Sequence, residues 1–393
     1  MSQINLFNDE VNKFYLGGSD CRIYLGETLL YPKDEPQPSG IMFKRVHKDG
    51  TTFEVECGES GTTLTRNITS ANTKVSEITG TTNPVTSITI GDCVEEIDNR
   101  AFSGWSKVQG DLVIPNNVKS IGDNAFASCS GFTGTLTLSD NLTTIGYQAF
   151  YYCSGFTSTL TLSDNLTTIG ERAFQSCSGF KGNLVIPNSV TIIDEVAFAG
   201  CSGFTGTLTL SDNLTTIGRA VFNGCSNLTG DIVIPNRVEE IGLGAFQDCS
   251  SFDGTLTIGD GVKTIGGQAF LRCSNLTGDI VIHDTVTSIG DQAFYYCSGF
   301  TSVTIGEGVE TIGNYAFNEC SNLTTIYIKA TTPPTLGNYA FYNTNNCPIY
   351  VPCGTAEAYK SAPNWSTYAS RIQEYNFDRD DGACEASRDD DDL

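Results

Sequence analysis

The sequence predicts a mainly β solenoid. It should have about eleven coils of 24-residue period, a β cap before them and a short helical cap after them. Three observations carry that prediction. A phenylalanine, almost always preceded by alanine, recurs at 102, 126, 150, 174, 198, 222, 246, 270, 294, 317 and 341, in steps of 24 residues with one step of 23 before Phe317. Residues 131–146 and 203–218 are identical, and 155–170 differs from them only by Ser158 in place of glycine. Within each unit a short stretch such as Thr135-Leu136-Thr137-Leu138 alternates polar and apolar residues, the pattern of a half-buried strand.

The elements of one unit follow in order. Leu136 and Leu138 are expected to face inward, with Thr135 and Thr137 outward. Ser139-Asp140-Asn141 is a turn. Leu142 and Ile145 return to the interior, and Gly146 permits a bend that a Cβ would hinder. Ala149, Phe150, Cys153 and Phe156 complete the core. One coil supplies about eight apolar side chains, too few to fold alone, so stacked coils must bury one another at roughly 25 cal/mol per Å².

The unit Leu228, Ile232, Ile234, Pro235, Val238, Ile241, Gly242, Ala245, Phe246, Cys249 resembles the BspA-like leucine-rich repeat family. The resemblance covers about residues 85–377 and implies a leucine-rich-repeat solenoid. It also implies a role in surface adhesion and host-protein binding. Most units carry one residue more than the family pattern, near Gly134 or its equivalent.

Outside the repeats, residues 1–31 hold twin stretches, Lys13–Gly17 and Arg22–Gly26, that read as an N-terminal β-hairpin. Phe14, Tyr15, Leu16, Ile23, Tyr24 and Leu25 are more apolar surface than a two-stranded unit can hide, so the hairpin is read as an attachment module. Its partner is a second copy, a virion protein or the solenoid end. The twin stretches resemble N-terminal modules of tail and fibre proteins of phages that infect gut bacteria. Residues 32–40 are a Pro-rich linker, and residues 41–84 an irregular β cap over the first open edge. The solenoid spans 85–345 and its C-terminal cap 346–377. That cap has a last strand, a short helix after Thr355 ended by Pro363, and a second short helix within 365–375. Residues 378–393 are an acidic, solvated tail, and their spacing does not make an EF-hand calcium loop.

Composition excludes several functions. With 22 basic against 45 acidic residues and a net charge of −23, a nucleic-acid partner held through phosphates is disfavoured. No apolar run is long enough to span a membrane. The first ten residues lack the basic segment and apolar core of a signal peptide, so the chain is expected to be made in a host cytoplasm without one. Cys129, Cys153, Cys177, Cys201, Cys225, Cys249, Cys273, Cys297 and Cys320 keep one register. Stacked at ~4.8 Å they lie too far apart for a disulfide, which needs ~3.8 Å between Cβ atoms. With two histidines and no C-x-x-C there is no metal or cofactor site, so these are read as buried thiols. His283 stands where sister units have proline and reads as a turn residue; His47 has no catalytic companion. Asn141, Asn165, Asn213, Asn227, Asn275 and Asn322 head Asn-x-Thr triplets and read as turn residues, not glycan sites.

No catalytic motif emerges, so the chain reads as non-enzymatic. What remains is the outward strand face. One column includes Thr135, Thr159, Asn183, Thr207, Asp231, Thr255 and Asp279; the other includes Thr137, Thr161, Thr209, Thr257, Tyr327 and Tyr350. Ranks of hydroxyls on a rigid sheet suit repeated weak contacts to a cell-surface protein or polysaccharide. They also suit a strand-forming surface with no ligand. The reading is a recognition protein of a phage virion, a fibre or a decoration, that binds a host surface. A bacterial surface adhesin and a plain structural spacer are the alternatives.

Overall fold

The computed structural model describes residues 23–25, 28–31, 41–47, 52–56, 62–64 and 85–384, the first five stretches by their backbone alone. The chain divides into two compact units, residues 1–214 with 221–228, and residues 215–220 with 229–393.

The first unit opens with a mixed cap. Strands β1 (Ile23–Leu25), β2 (Thr28–Tyr31), β3 (Ile41–His47) and β4 (Thr52–Glu56) join one antiparallel sheet, which continues into the first repeat strand. A further short strand, β5 (Thr62–Leu64), precedes β6 (Val85–Ile90) and β7 (Val94–Ile97). β3 pairs antiparallel with β6, and β5 pairs parallel with β7, so both strand columns begin on a paired neighbour. β1 pairs with β2 on one edge and with β4 on the other, Ile23 opposite Val55. Ile23, Tyr24 and Leu25, read as part of the attachment module, thus lie in one sheet with the cap strands. The physical reason is that an open strand edge satisfies its N–H and C=O groups on the nearest strand. Phe14, Tyr15, Leu16 and the linker 32–40 lie outside the described residues.

Each coil then repeats one local plan. In the coil around Phe150, Leu136 and Leu138 are buried and Thr135 and Thr137 exposed. The turn closes with Leu142 N–H donating to the Ser139 carbonyl (3.2 Å). Thr144–Ile145 pairs in register with Ser120–Ile121 on one side and Thr168–Ile169 on the other, in parallel. Gly146 is needed for close approach: a Cβ there would stand 2.7 Å from Asp123 Oδ1 and 2.9 Å from its backbone nitrogen. Gln148 and Tyr152 are left-handed (φ 52° and 56°) and bracket Ala149-Phe150, turning the chain back toward the strands. Elsewhere these two positions are again left-handed, and the side chain is often not glycine.

The turn survives because the next coil satisfies it. Gln148, Phe150 and Tyr152 donate their N–H groups to the carbonyls of Glu171, Ala173 and Gln175 at 2.8–2.9 Å. Equivalent phenylalanines stack face to face: Phe102, Phe126, Phe150, Phe174, Phe198 and Phe222 have neighbouring centroids 4.9–5.9 Å apart and nearly parallel planes. A second column, Phe132, Phe156, Phe180 and Phe204, stacks alongside.

The nine register cysteines are buried thiols outside any disulfide, as the register implies, and so is Cys347. They do more than fill space. Cys153 Sγ–H donates to the Phe126 carbonyl (3.0 Å), Cys177 to Phe150 (2.9 Å) and Cys225 to Phe198 (3.2 Å), each across one coil boundary. Burial pushes the Cys177, Cys225 and Cys273 thiols up to about 12.

The second unit continues the same plan. Thr216–Ile217, Glu240–Ile241, Thr264–Ile265, Ser288–Ile289, Thr311–Ile312 and Thr335–Leu336 form one parallel column. Gly278–Ile282, Phe300–Ile305, Thr325–Ile328, Ile349–Pro352 and Ile372–Tyr375 form the other. Helix α1 (Ala356–Ser361) follows Thr355, whose hydroxyl donates back to the Pro352 carbonyl (2.6 Å) and does not cap the helix. The second helix read within 365–375 is shorter: Trp365–Arg371 is a 3₁₀ turn, and Ile372–Tyr375 extends to cover the edge of Ile349–Pro352.

Two predictions follow from this packing. Phe198→Ala should cost roughly 3–5 kcal/mol, because the ring is fully buried between Phe174 and Phe222. Denaturant melting checks it; a change under about 1 kcal/mol would show the column is not core. The thiols give an alkaline limit. A folded-state thiol pKa of about 12, against about 8.5 unfolded, means that the native state keeps its proton longer. Stability is therefore full below about pH 8.5 and falls as pH rises toward 12, by on the order of 1.4 kcal/mol per pH unit per thiol. Cys177→Ala should flatten that slope by one proton; an unchanged slope would contradict the assignment.

Candidate functional site: the outward strand face

The outward columns lie where the alternation puts them. Thr135, Thr137, Thr159, Thr161, Asn183, Thr207 and Thr209 are exposed in the first unit, and Asp231, Thr255, Thr257 and Asp279 in the second. The columns are in strand register: Thr137 beside Val113, Thr209 beside Val185, Thr257 beside Val233. Those valines are 54%, 47% and 55% exposed, so within each unit a hydroxyl stands beside a bare methyl.

The polar members do not all play one part. Asp111 Oδ1 accepts the Thr135 N–H (2.6 Å), Asn183 Oδ1 the Thr207 N–H (3.0 Å), and Asp231 Oδ1 both the N–H and the hydroxyl of Thr255 (2.6 and 2.9 Å). This is the consequence of the extra residue in the 24-residue units. It breaks the backbone pairing at that point, and an aspartate or asparagine side chain in the preceding coil supplies the missing acceptor. In the three bridged units the extra residue is glycine. At Gly134, Gly206 and Gly254 a Cβ would fall 2.0–2.3 Å from that same side-chain oxygen. Where a unit lacks the residue, Asp279, Ser302 and Thr325 pair through the backbone, and Asp279 instead accepts the Thr301 and Ser302 hydroxyls. These hydrogen bonds hold the Asp231 and Asp279 carboxyls below the usual carboxylate range. Asn183, Asp231 and Asp279 are thus structural bridges.

The threonine hydroxyls divide by position in the coil. On the other strand column Thr143, Thr167 and Thr287 donate to carbonyls of the preceding coil. On the candidate face, the hydroxyls of Thr137, Thr161, Thr209 and Thr257 are engaged by no other described residue.

Tyr327 and Tyr350 sit in register at the C-terminal end of this face, beside Thr304. They are only half-exposed, because Tyr375 packs on both with ring centroids 5.3 Å apart and Phe377 packs on Tyr327 at 6.1 Å. The segment that brings Phe377 there folds back through Asn376 N–H to the Gly382 carbonyl (2.9 Å) and is tied down by a Cys353–Cys384 disulfide. The sequence reading missed this tie. The available signal was that Cys353 and Cys384 fall outside the 24-residue register. It follows that 378–384, read as solvated tail, is ordered here; 385–393 lies outside the described residues.

The family model for the BspA type leucine rich repeat region matches the chain over residues 80–205, 149–277 and 265–377. The chain belongs to the BspA-type leucine-rich repeat proteins. Among solved structures, a leucine-rich repeat protein from Bacteroides ovatus is 21% identical, with a TM-score of 0.45 over 75% of this chain and 95% of that one. A leucine rich cell surface protein from Faecalibacterium prausnitzii is 24% identical, with a TM-score of 0.42 over 76% of this chain and 84% of the other. A leucine-rich repeat protein of T. pallidum is 27% identical, with a TM-score of 0.35 over 47% and 72%. No curated protein matches the chain.

Within this BspA-type frame the residues weighed for other chemistry have structural positions. The His283 carbonyl accepts the Val286 N–H (3.1 Å), as the Pro235 carbonyl accepts that of Val238, and its Nε2 stands 3.2 Å from Asp260 Oδ1. Asn141, Asn165, Asn213 and Asn227 donate their amides to carbonyls of the preceding coil at 2.8 Å.

The bridge assignment predicts a specific pH response. Asp231→Asn should melt near the parent temperature at neutral pH, since Asn183 does the same task, whereas Asp231→Ala should melt lower. A carboxylate whose folded pKa is depressed contributes stability above its unfolded value near 4 and loses it as pH falls. Between about pH 5 and 3 the parent should therefore lose more than Asp231→Asn. Equal losses in thermal melts would contradict the bridge.

Proposed function

We propose that this chain is a non-enzymatic recognition protein that engages an extended polysaccharide on a cell surface along its outward strand face. The observation that carries the reading is the set of unengaged hydroxyls at Thr137, Thr161 and Thr209 in the first unit, two of which, Thr137 and Thr209, lie in register with exposed valines. A polymer with alternating hydroxyl and C–H surface suits such a face. Weak contacts made once per coil add up when several coils engage one chain. A surface protein is the other ligand class this face suits. The Cys353–Cys384 disulfide supports display outside a reducing cytoplasm. The carrier we propose is a phage virion, on the strength of the twin N-terminal stretches; a bacterial surface is the alternative. Mass spectrometry of purified virions against bacterial surface fractions distinguishes the two.

A structural spacer is the second reading, favoured by Asp111, Asn183 and Asp231, whose side chains are consumed in bridging coils. One set of variants separates spacer from binder. Thr137→Val, Thr161→Val and Thr209→Val put into three coils the residue that sister coils already carry, so the melting temperature should hold. Binding to a panel of immobilised polysaccharides (mannan, mucin glycans, capsular polymers) should fall about tenfold for any polymer the parent retains. Retention of none by the parent, or undiminished retention by the triple variant, would sink the proposal for this face.

A further inference from the structure

Five tyrosines of the second unit form a continuous ridge on the turn side, away from the strand columns. Tyr296 packs on Tyr295 with 4.5 Å between ring centroids, Tyr295 on Tyr315 at 6.4 Å, Tyr315 on Tyr339 at 5.4 Å, and Tyr339 on Tyr342 at 5.8 Å. Tyr296, Tyr339 and Tyr342 remain 43%, 56% and 51% exposed.

The fold does not require these side chains. Tyr296, Tyr315 and Tyr339 stand at φ values of 60°, 56° and 58°, where a bulky residue is strained. At the position of Tyr296 sister coils use Gly104, Gly200 and Gly224; at that of Tyr315 and Tyr339 they use Asn124 and Gly244. Replacing glycine or asparagine by an exposed ring at a strained position gains the coil nothing, so the ring's value lies in what it meets outside.

The first unit indicates what that is. There the equivalent pair, Tyr151 and Tyr152, packs at 4.4 Å, and the next coil supplies Arg172, whose Nη1 pairs with Glu171 (2.8 Å) and donates to Tyr147 Oη (3.3 Å). In the second unit the place of Arg172 is taken by Tyr315. The guanidinium in the preceding coil, Arg272, is paired with Asp248 (3.3 Å). Two acids stand beside the ridge: Glu319, whose N–H donates to the Tyr342 carbonyl (3.1 Å) and whose Oε1 accepts from the Asn343 amide (2.8 Å), and Asp291, whose Oδ1 accepts the N–H of Asn314 (2.7 Å).

We propose that the ridge of Tyr295, Tyr296, Tyr315, Tyr339 and Tyr342 is a docking surface for the arginine side chains of a basic segment in a partner protein. Guanidinium groups stack on phenol faces, and Glu319 and Asp291 complement their charge. The net charge of −23 steers such a partner inward.

The test uses the full-length chain and a short peptide of repeating Gly-Arg-Ser, with its lysine and citrulline analogues, at near-physiological salt. The arginine peptide should shift the tyrosine ring resonances in NMR and bind about tenfold tighter than the citrulline analogue, with lysine between them. The combined variant Tyr296→Gly, Tyr315→Asn and Tyr339→Asn carries residues that sister coils accept, so it should melt no lower than the parent and lose about tenfold in affinity. Tyr342→Ser alone, at an unstrained position, should lose affinity several-fold. Undiminished binding by both variants would assign the peptide to the general acidic field and overturn the proposal. So would the absence of binding by any peptide, or a neutral oligosaccharide shifting the same rings while the arginine peptide does not.

Discussion

The described coils rest on one constraint: a backbone bent left-handed at two places around each phenylalanine bonds alternate N–H groups within its own turn and sends the others to acceptors in the coil next to it. A left-handed residue other than glycine is unfavourable by about 1–2 kcal/mol, and here such residues include Val196 at φ 63°. No single turn could hold that geometry alone. It holds because Phe150 N–H reaches the Ala173 carbonyl, while the Phe150 carbonyl receives the Cys177 thiol from the following coil. The strict 24-residue period follows. An insertion in one coil removes partners from two others, unless a side chain replaces them, as Asp111, Asn183 and Asp231 do.

That constraint divides the surface into two kinds of polar group. Some are structural although exposed: Asp111 and Asp231, the turn asparagines Asn141, Asn165, Asn213 and Asn227, and Thr143, Thr167 and Thr287 bond to a neighbouring coil. Others are left over, chiefly the hydroxyls of Thr137, Thr161, Thr209 and Thr257 and the phenol rings of the turn side. Exposure alone does not distinguish the two, since Thr135 and Thr137 are equally outward and only the backbone of Thr135 depends on a side-chain acceptor. The candidate surfaces are those where the fold has no further use for the group displayed.

Most of the fold was legible in the sequence because the period runs through the chain with a single 23-residue step among the 24-residue ones. The inward side of each strand, the phenylalanine column and the burial of the register cysteines all follow from counting. The roles within that register were less legible. Cys153 read as a small hydrophobe because a thiol's acceptor lies 27 residues away and leaves no local mark. Asp231 read as a surface polar residue because its partner is a backbone N–H in another coil. Tyr327 and Tyr350 read as open binding residues because nothing in their own strands announces that Tyr375 and Phe377 will cover them. The left-handed positions were invisible for a simpler reason: the usual marker is glycine, and many coils do without it.

The most direct measurement is native-state amide hydrogen exchange across the turn segments of the first unit. If coil-to-coil satisfaction is what holds the fold, the N–H groups of Asn124, Phe126, Phe150, Tyr152 and Phe174, each donated to the next coil at 2.7–2.9 Å, should exchange as slowly as those of the paired strands Thr144–Ile145 and Thr168–Ile169. Turn amides that exchange at the rate of an open loop, while the strands stay protected, would show that the strand columns alone hold the stack and would contradict the account.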